Sequence, residues 1–266
     1  MDITEEKKTQ QQPAVSIIIS TLNEESYINK LLASLSVQTF KDFEVLVVDG
    51  QSVDKTIEVC EEYRQRLSWL TIIRSDYRGI SHQRNLGVNQ ARADLLLFLD
   101  ADVIFAADFL EKSLNEFNGQ KADMATTIGR PISRNLFDKF AFKVLLAVAR
   151  NLHLMEGWAM LVRRSFHDAI NGFDEELFYC EEGDYSLRLT KRGAKYALIK
   201  SILYVSVRRF DYEGRLRILG KFARFYFSCL LFGIKASQNK IQWASGVFGG
   251  INNRDSDGKI SKRSAN

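Results

Sequence analysis

Blocks of apolar residues alternate with amphipathic stretches along the first hundred residues of this chain. The apolar blocks are near-continuous runs of Val, Ile and Leu, as in VSIIIS at 15–20 and FEVLVVD at 43–49. Such runs indicate strands covered on both faces, and their alternation with helices predicts a parallel α/β sheet with right-handed crossovers. The predicted strands lie at 15–20, 43–49, 70–75 and 94–100, and the predicted helices at 24–35, 55–65 and 81–91.

The second half continues this pattern with longer elements. The runs EGWAMLVRR (156–164) and YALIKSILYVSVRR (196–209) predict strands, and residues 181–191 predict a helix that ends at Gly193. Apolar residues beyond 209 recur at helical spacing. We therefore expect an α/β fold with a mainly parallel central sheet flanked by helices, followed by a C-terminal helical extension.

Basic residues concentrate late in the chain, although the 266 residues carry a net charge of only +4. Between residues 191 and 224, the acids Asp211 and Glu213 are outnumbered by Lys and Arg. This half should attract an anion. It lacks the aromatic-interleaved pattern of a nucleic-acid surface, so we expect no nucleic-acid partner.

Several features bear on location. Cys60, Cys180 and Cys229 are far apart, which indicates neither disulfides nor a zinc site and favours a reducing compartment. The first residues lack an apolar signal core, and no run reaches the roughly 20 apolar residues of a spanning helix. The nearest runs, 144–149 and 225–234, fit either buried or interfacial helices. We expect a cytoplasmic protein with peripheral contact at the inner face of a membrane.

The most informative segment is LFLDADV at 97–103, where an apolar run ends in two carboxylates. Asp100 and Asp102 would lie at the carboxyl edge of the sheet, where open α/β sheets bind ligands, and carboxylate oxygens suit a hard cation. The alternative is structural, because Asp102 or Asp108 could cap the next helix. Neighbouring strand ends add polar groups to the same edge, namely Thr21, Asn23, Glu24, Asp49 and Ser52, although Asn23 and Ser52 could also be helix caps. Dinucleotide and P-loop glycine motifs are missing from the sequence.

A second acidic group occurs at the predicted start of the helix at 181–191. Glu181, Glu182 and Asp184 place three carboxylates within four residues. Acids there complement the helix dipole, and Asp184 can pair with Arg188 one turn on. A carboxylate among carboxylates also has a raised pKa, which suits a general base.

The segments STLNEE, VVDGQSVDKT, GISHQRNLGV, LFLDADV, GWAMLVRRSF to NGFDEEL, and CEEGDYSLRL occur in this order. Together they resemble glycosyltransferase family 2, whose members have the Rossmann-like GT-A fold and use nucleoside diphosphate sugars. The resemblance implies nucleoside contacts at the first two strand ends: Thr21, Asn23, Glu24 and Asp49. It also implies that Arg84 approaches the diphosphate or holds Asp100, that Asp100 lies near the ribose, and that Asp102 ligates Mn²⁺ or Mg²⁺. Asp100 is a second candidate metal ligand, and Gly157 would pass beneath the donor sugar.

The resemblance further implies a general base in the acidic group and an inverting single displacement. Glu182 stands where the family has its Asp base, with Glu181 and Asp184 as neighbouring catalytic candidates. The chain also departs from the family at Gly50, where many relatives carry a second acid. It departs again after the last predicted strand, where Arg208 and Arg209 stand in the region of a metal-ligating His and could bind the diphosphate.

We divide the chain accordingly. Residues 1–13 form a disordered tail, 14–210 a GT-A domain with a nucleotide-binding half (14–103) and an acceptor half (104–210), 211–251 a helical extension, and 252–266 a second disordered tail. We expect a metal-dependent glycosyltransferase that moves a sugar from a nucleotide-sugar donor to a glycan, lipid-linked or small-molecule acceptor. A nucleotide-sugar-binding protein without transfer activity, or a nucleotidyltransferase, is the alternative.

Overall fold

The computed structural model describes residues 12–177 and 179–218, together with residues 220 and 224. Its strands are β1 (Val15–Thr21), β2 (Phe43–Asp49), β3 (Leu70–Arg74), β4 (Leu95–Asp100), β5 (Val103–Phe105), β6 (Met124–Pro131), β7 (Ala159–Arg163) and β8 (Tyr196–Val205). Its helices are α1 (Glu25–Ser36), α2 (Thr56–Glu61), α3 (Ile80–Gln90), α4 (Phe109–Gly119), α5 (Leu136–Leu152), α6 (Arg164–Ala169), α7 (Glu181–Lys191) and α8 (Arg208–Glu213).

All eight strands form one sheet in the order β3-β2-β1-β4-β7-β6-β8-β5. β1 pairs in parallel with β2 and β4, and β2 with β3, as the alternation of strands and helices predicts. The predicted α/β fold with flanking helices is confirmed, and the predicted elements of the first hundred residues appear with small shifts at their ends. Because its strands come from both predicted halves, the two halves share one sheet.

Alternate residues of the central strands supply the cores on the two faces. Ile17, Val47 and Leu97 pack on the face that α1 and α4 cover, whereas Ile18, Val48 and Phe98 pack on the face with α3 and α7. Successive side chains of a strand point to opposite faces, so a strand buried on both sides must be apolar throughout. This requirement explains the continuous apolar runs in the sequence.

The strand β7 reverses direction within the sheet. It pairs antiparallel with β4, with Leu99 opposite Ala159, and antiparallel with β6 on its other side. The beginning of β7 therefore lies beside the end of β4. This arrangement brings Gly157, which precedes β7, to the edge that holds Asp100.

Some local predictions need correction. Asp102 lies in the turn between β4 and β5 and caps no helix. Asp108 precedes α4 without a capping hydrogen bond, and its carboxylate pairs with Lys112 at 2.6 Å. Arg208 and Arg209 begin α8 instead of ending a strand. Trp158 is buried, stacks on Phe142 and donates to the Thr127 carbonyl at 3.1 Å, so it belongs to the core.

The ends of the domain also differ from expectation. Pro13 is buried, and Gln12 donates to the Arg92 carbonyl at 2.8 Å, so these two residues belong to the packed domain and not to the tail. The predicted helical extension at 211–251 falls mainly outside the described residues, and the tail at 252–266 lies wholly outside them. None of the described helices is long and apolar enough to cross a membrane.

Gly87 sets how closely α3 approaches the sheet. A Cβ at this position would lie 2.5 Å from Ile18 Cγ2 and 3.1 Å from Val48 Cγ2, both on buried strands. Such overlap forces either the strands or the helix to move. Since α3 also carries Arg84, the position of this side chain depends on the close contact at Gly87.

We therefore expect Gly87→Ala to destabilise the protein by about 1–3 kcal/mol, the usual cost of overpacking a core. Gly119→Ala is the matched control, because a Cβ there would meet nothing within 4 Å and alanine favours helix. Urea unfolding followed by circular dichroism measures both. Equal stability of the two variants would contradict the proposed packing constraint.

Candidate active site

The loops after β1 and β2 are joined by hydrogen bonds. The Asn23 backbone N–H donates to Ser52 Oγ at 2.9 Å, and the Val53 backbone N–H donates to Asn23 Oδ1 at 2.9 Å. Each of these side chains accepts from a loop N–H group and not from a helix N–H group, and the residues at the cap positions of α1 and α2 are Glu24 and Lys55, so the capping interpretation of Asn23 and Ser52 is wrong. Asn23 adopts a φ of 57°, a conformation that asparagine tolerates better than most residues. The two polar side chains thus fix the shape of this part of the edge.

Buried polar side chains form the floor of the same region. Asp49 accepts hydrogen bonds from the backbone N–H groups of Gln51 and Ser52, both at 3.1 Å. Gln83 donates from Nε2 to the Thr21 carbonyl at 2.8 Å and to the Val48 carbonyl at 2.7 Å. Thr21 and Asp49 are themselves buried. They are the last residues of β1 and β2, where the nucleoside contact is predicted.

One buried guanidinium organises the acidic groups from both halves of the chain. Arg84 contacts Asp100 Oδ1 at 3.4 Å, Glu181 Oε1 at 3.4 Å and Glu182 Oε1 at 3.2 Å. Only 3% of its side chain is exposed, and its guanidinium lies 5.1 Å from the centroid of the Phe173 ring. Of the two roles considered for Arg84, contact with Asp100 is observed directly. The residues on α3, β4 and α7 are thereby brought to one place.

The two glutamates of this cluster differ in their pKa. Burial and the neighbouring Glu182 raise the pKa of Glu181 well above its ordinary value. Burial also opposes ionisation of Glu182, but the charge of Arg84 and hydrogen bonds to its carboxylate outweigh burial and lower its pKa. The expectation that crowding raises the pKa of the candidate base is therefore wrong for Glu182. Glu182 therefore holds a proton less strongly than Glu181 and is the better candidate for the ionised base.

Asp184 does not join this cluster. Its carboxylate accepts a hydrogen bond from Arg188 Nε at 2.6 Å, in the i,i+4 pair that the sequence suggested. Arg188 also donates to the carbonyls of Ile170 and Gly172. The observed contacts give Asp184 a structural role in fixing α7 against the preceding loop.

Gly157 lies against the cluster. A Cβ there would be 2.4 Å from Glu182 Oε1 and 3.5 Å from Arg84 Nη2. Glycine thus leaves the space that the Glu182 carboxylate occupies. Any side chain at this position would displace that carboxylate.

Glu156 is a site residue that the sequence reasoning missed. Burial and the charges of Glu182 and Asp100 raise its pKa to about 8, so at neutral pH the carboxyl group is largely protonated and can donate a hydrogen bond. Its position immediately before Gly157 was the available signal. The proximity to Asp100, which is distant in sequence, only becomes visible in the folded chain.

A second arginine connects Asp102 to the end of β1. Arg208 lies 3.4 Å from Asp102 Oδ2 through Nε, donates to Glu24 Oε2 at 2.7 Å through Nη1, and donates to Glu24 Oε1 through Nη2. Burial raises the pKa of Glu24 even though Arg208 opposes the shift. The charge of Arg209 also acts on Asp100 and Asp102. Both arginines that depart from the family pattern therefore lie at this edge.

The two aspartates of the D-A-D turn hold their protons unusually strongly. Burial raises the pKa of Asp100 to about 7, with Asp102 and Glu182 adding to the effect and Arg84 opposing it. Burial likewise raises the pKa of Asp102 to about 6. Because desolvation is the main cause of both shifts, a cation bound beside these carboxylates would favour their ionised forms.

Two carboxylates can take part in a cation site here, although they do not complete one. No group of three or more His, Cys, Asp or Glu able to hold a metal ion occurs among the described residues. Mg²⁺ commonly takes one or two carboxylates and fills its remaining positions with phosphate oxygens and water. Asp100 and Asp102 fit that donor set, with Asp102 shared between a cation and Arg208.

A mainly parallel sheet with carboxylates and arginines at its carboxyl edge defines a ligand-binding protein of the open α/β class. The model of the family "Glycosyl transferase family 2" matches residues 16–168, more than half of the chain. The chain belongs to this family.

The chain is similar to several named proteins of this kind. It is 26% identical over 197 residues to poly(ribitol-phosphate) beta-N-acetylglucosaminyltransferase TarS of Staphylococcus aureus, covering 71% of this chain and 34% of TarS. It is 25% identical over 209 residues to the putative glycosyltransferase EpsH of Bacillus subtilis, covering 72% of this chain and 60% of EpsH. The chain therefore spans between a third and three fifths of these relatives.

Solved structures show the same fold. The crystal structure of S. aureus TarS 1-349 in complex with UDP superposes with a TM-score of 0.62 and 26% identity, over 73% of this chain and 60% of that one. The mannosyltransferase PcManGT of Pyrobaculum calidifontis, in complex with GDP-Man and Mn²⁺, gives a TM-score of 0.66 at 19% identity, over 88% of this chain and 66% of that one. The fold is that of GT-A glycosyltransferases.

The Arg84 cluster leads to a stability prediction. Arg84→Met removes the cation from three carboxylates and should cost about 3–5 kcal/mol at neutral pH, the usual result of breaking a buried ion pair. In the variant the folded-state pKa values of these acids rise, because burial is no longer opposed by the charge of Arg84, so the folded state binds more protons than the unfolded state. The loss of stability should therefore shrink as the pH falls from about 8 to about 5.

Urea unfolding at several pH values measures this effect. Arg64→Met is the control, because Arg64 forms an exposed ion pair with Glu61 on the surface and should contribute little. A loss for Arg84→Met as small as that for Arg64→Met would show that the buried guanidinium does not hold the cluster together.

Proposed function

We propose that the chain is a metal-dependent glycosyltransferase that transfers a sugar from a nucleoside diphosphate sugar to an acceptor hydroxyl with inversion. The observation that carries this proposal is the joining of Asp100 at the end of β4 to Glu182 at the start of α7 through Arg84. A donor-side carboxylate and a candidate base are thereby held beside Gly157. Family membership supports a sugar-transfer role over the nucleotidyltransferase alternative.

The donor would lie across the carboxyl edge of β1, β2 and β4. The nucleoside would be bordered by Thr21, Asn23, Glu24 and Asp49. Asp49 would face the nucleobase, and Asp100 would face the ribose. This assignment follows the rule that open α/β sheets bind ligands beyond the carboxyl ends of their strands. The TarS structures described with UDP and with UDP-GlcNAc support a uridine diphosphate sugar as the first donor to test.

The diphosphate would be neutralised from two sides. Asp102, with help from Asp100, would hold Mn²⁺ or Mg²⁺, which when bound stabilises the negative charge that develops on the leaving phosphate. Arg208 and Arg209 would contact the same phosphates through their guanidinium groups, which suit phosphate oxygens. PcManGT, described with Mn²⁺, is a protein of the same fold with such a cation.

Glu182 would act as the general base. Its ionised carboxylate takes the proton of the acceptor hydroxyl while that oxygen bonds to the anomeric carbon and the bond from this carbon to the diphosphate breaks. Arg84 keeps Glu182 ionised, and the missing side chain of Gly157 leaves room for it. Glu181, whose pKa is raised, would support Glu182 through their hydrogen bond, and direct attack gives inversion.

The acceptor would be a hydroxyl of a growing glycan or of a lipid-linked or small molecule. The similarity to TarS, named for poly(ribitol-phosphate), supports polymers rich in hydroxyl groups as the first acceptors to test. The helical extension that could have placed the site at a membrane lies mainly outside the described residues.

The proposal predicts separate effects of two substitutions. Glu182→Gln should reduce transfer by about a hundredfold or more while donor binding is kept, because only the base is lost. Asp102→Asn should weaken the metal-dependent part of donor binding. Calorimetry with UDP and GDP sugars, with and without Mn²⁺, followed by product analysis, measures both.

Glu58→Gln, at an exposed carboxylate on α2, is the control and should change neither quantity. Tight donor binding without transfer for any acceptor would favour the binding-protein alternative. If no nucleotide sugar bound more tightly with metal, the proposed donor site would be wrong.

A further inference from the structure

The helix α5 presents a row of large apolar side chains to solvent. These side chains recur at every fourth residue: Leu136, Phe140, Val144, Val148 and Leu152. Leu136 is 79% exposed and Phe140 is 66% exposed. Residues four apart are neighbours on a helix surface, so the five side chains form one continuous row, here called the α5 row. The opposite side of the helix packs on the protein core, where Phe142 stacks on Trp158.

The charges beside the α5 row have one sign. Lys139, Lys143 and Arg150 are exposed along one border of the row, and none of the three forms an ion pair among the described residues. Asp138, the only acid of α5, is fully buried and accepts hydrogen bonds from Arg215. The exposed side of α5 is therefore apolar and basic, with no acid.

The position of α5 relates this surface to the candidate active site. β6 is antiparallel to β7, which is antiparallel to β4, so β6 and β4 end at the same edge of the sheet. α5 starts shortly after β6 ends, and the residues that follow it lead directly to Glu156 and Gly157. Both ends of the helix are thus a few residues from strand ends at the edge that holds Asp100. At about 1.5 Å per residue, α5 is about 25 Å long, and it connects the end of β6 to the beginning of β7 at this edge.

We propose that the α5 row docks on an anionic lipid surface. A helix with bulky apolar residues and flanking basic residues lies in the membrane interface, with its apolar side chains among the acyl chains and its cations at anionic headgroups. Lys139, Lys143 and Arg150 provide that charge complementarity. Docking here would hold the rim of the active site against the bilayer. Resting on the proposed function, it also selects lipid-linked molecules as the acceptor class.

Vesicle co-sedimentation of the full chain tests the proposal. We expect binding to vesicles of equal parts phosphatidylglycerol and phosphatidylcholine, weaker binding at high salt, and little binding to phosphatidylcholine alone. Phe140→Glu should reduce binding about tenfold or more, since it puts a charge of the wrong sign into the row. Lys139→Gln with Lys143→Gln should weaken binding and reduce its salt dependence.

Val37→Glu is the matched control, because Val37 is 60% exposed and follows α1 at the opposite edge of the sheet. It should bind vesicles like the unaltered chain. Donor binding without vesicles should be unchanged in Phe140→Glu, so a failure of docking is distinguishable from a failure of the donor site.

Three results would overturn the proposal. The first is vesicle binding of Phe140→Glu equal to that of the unaltered chain. The second is loss of vesicle binding in Phe225→Glu but not in Phe140→Glu, which would assign the contact to the C-terminal segment. The third is a dimer that Phe140→Glu dissociates, without vesicle binding, which would make the row an interface between two copies.

Discussion

The buried guanidinium of Arg84 is the interaction on which the candidate site depends. It lies among Asp100, Glu181 and Glu182, which come from elements far apart in the chain. Without a cation these acids would repel one another in a poorly solvated region, and the cheapest response would be protonation or separation. Arg84 prevents both for Glu182, and Gly87 lets its helix approach the sheet closely enough to do so. The stability of the core and the chemistry of the site therefore rest on the same packing.

The reversal of β7 gives this cluster its surroundings. In an all-parallel sheet every strand begins at the edge opposite the carboxyl edge. Antiparallel β7 instead begins at the carboxyl edge, beside the end of β4. Glu156 and Gly157 thereby reach Asp100 and Glu182. On the other side of Asp100, the Asp102 carboxylate is shared with Arg208, which also binds Glu24. The proposed general base, Glu182, therefore lies on one side of Asp100. The charged groups proposed to bind the metal and the diphosphate, Asp102 and Arg208, lie on the other side.

The sequence predicted the local elements well because strands buried on both faces require unbroken apolar runs. It also placed Asp100, Glu182 and Gly157 in one site through their order in the family motifs. It failed where a property depends on distant neighbours. The pKa of Glu182 has the opposite direction from the prediction because Arg84, from another helix, outweighs the neighbouring acid. Asp184, a neighbouring catalytic candidate, instead forms the pair with Arg188 that its i,i+4 spacing predicted. The raised pKa of Glu156 and the solvent exposure of the α5 row depend on the folded chain, so the sequence alone could not predict them.

A crystal structure with UDP-GlcNAc and Mn²⁺ tests the central claim most directly, namely that Arg84 joins a donor site to a catalytic base at one edge of the sheet. We expect the diphosphate and Mn²⁺ beside Asp102, the nucleobase at the loops after β1 and β2, and the sugar between Gly157 and Glu182. Arg84 should keep its contacts with Asp100 and Glu182. A donor bound elsewhere, or at this edge with its sugar remote from Glu182, would contradict the account.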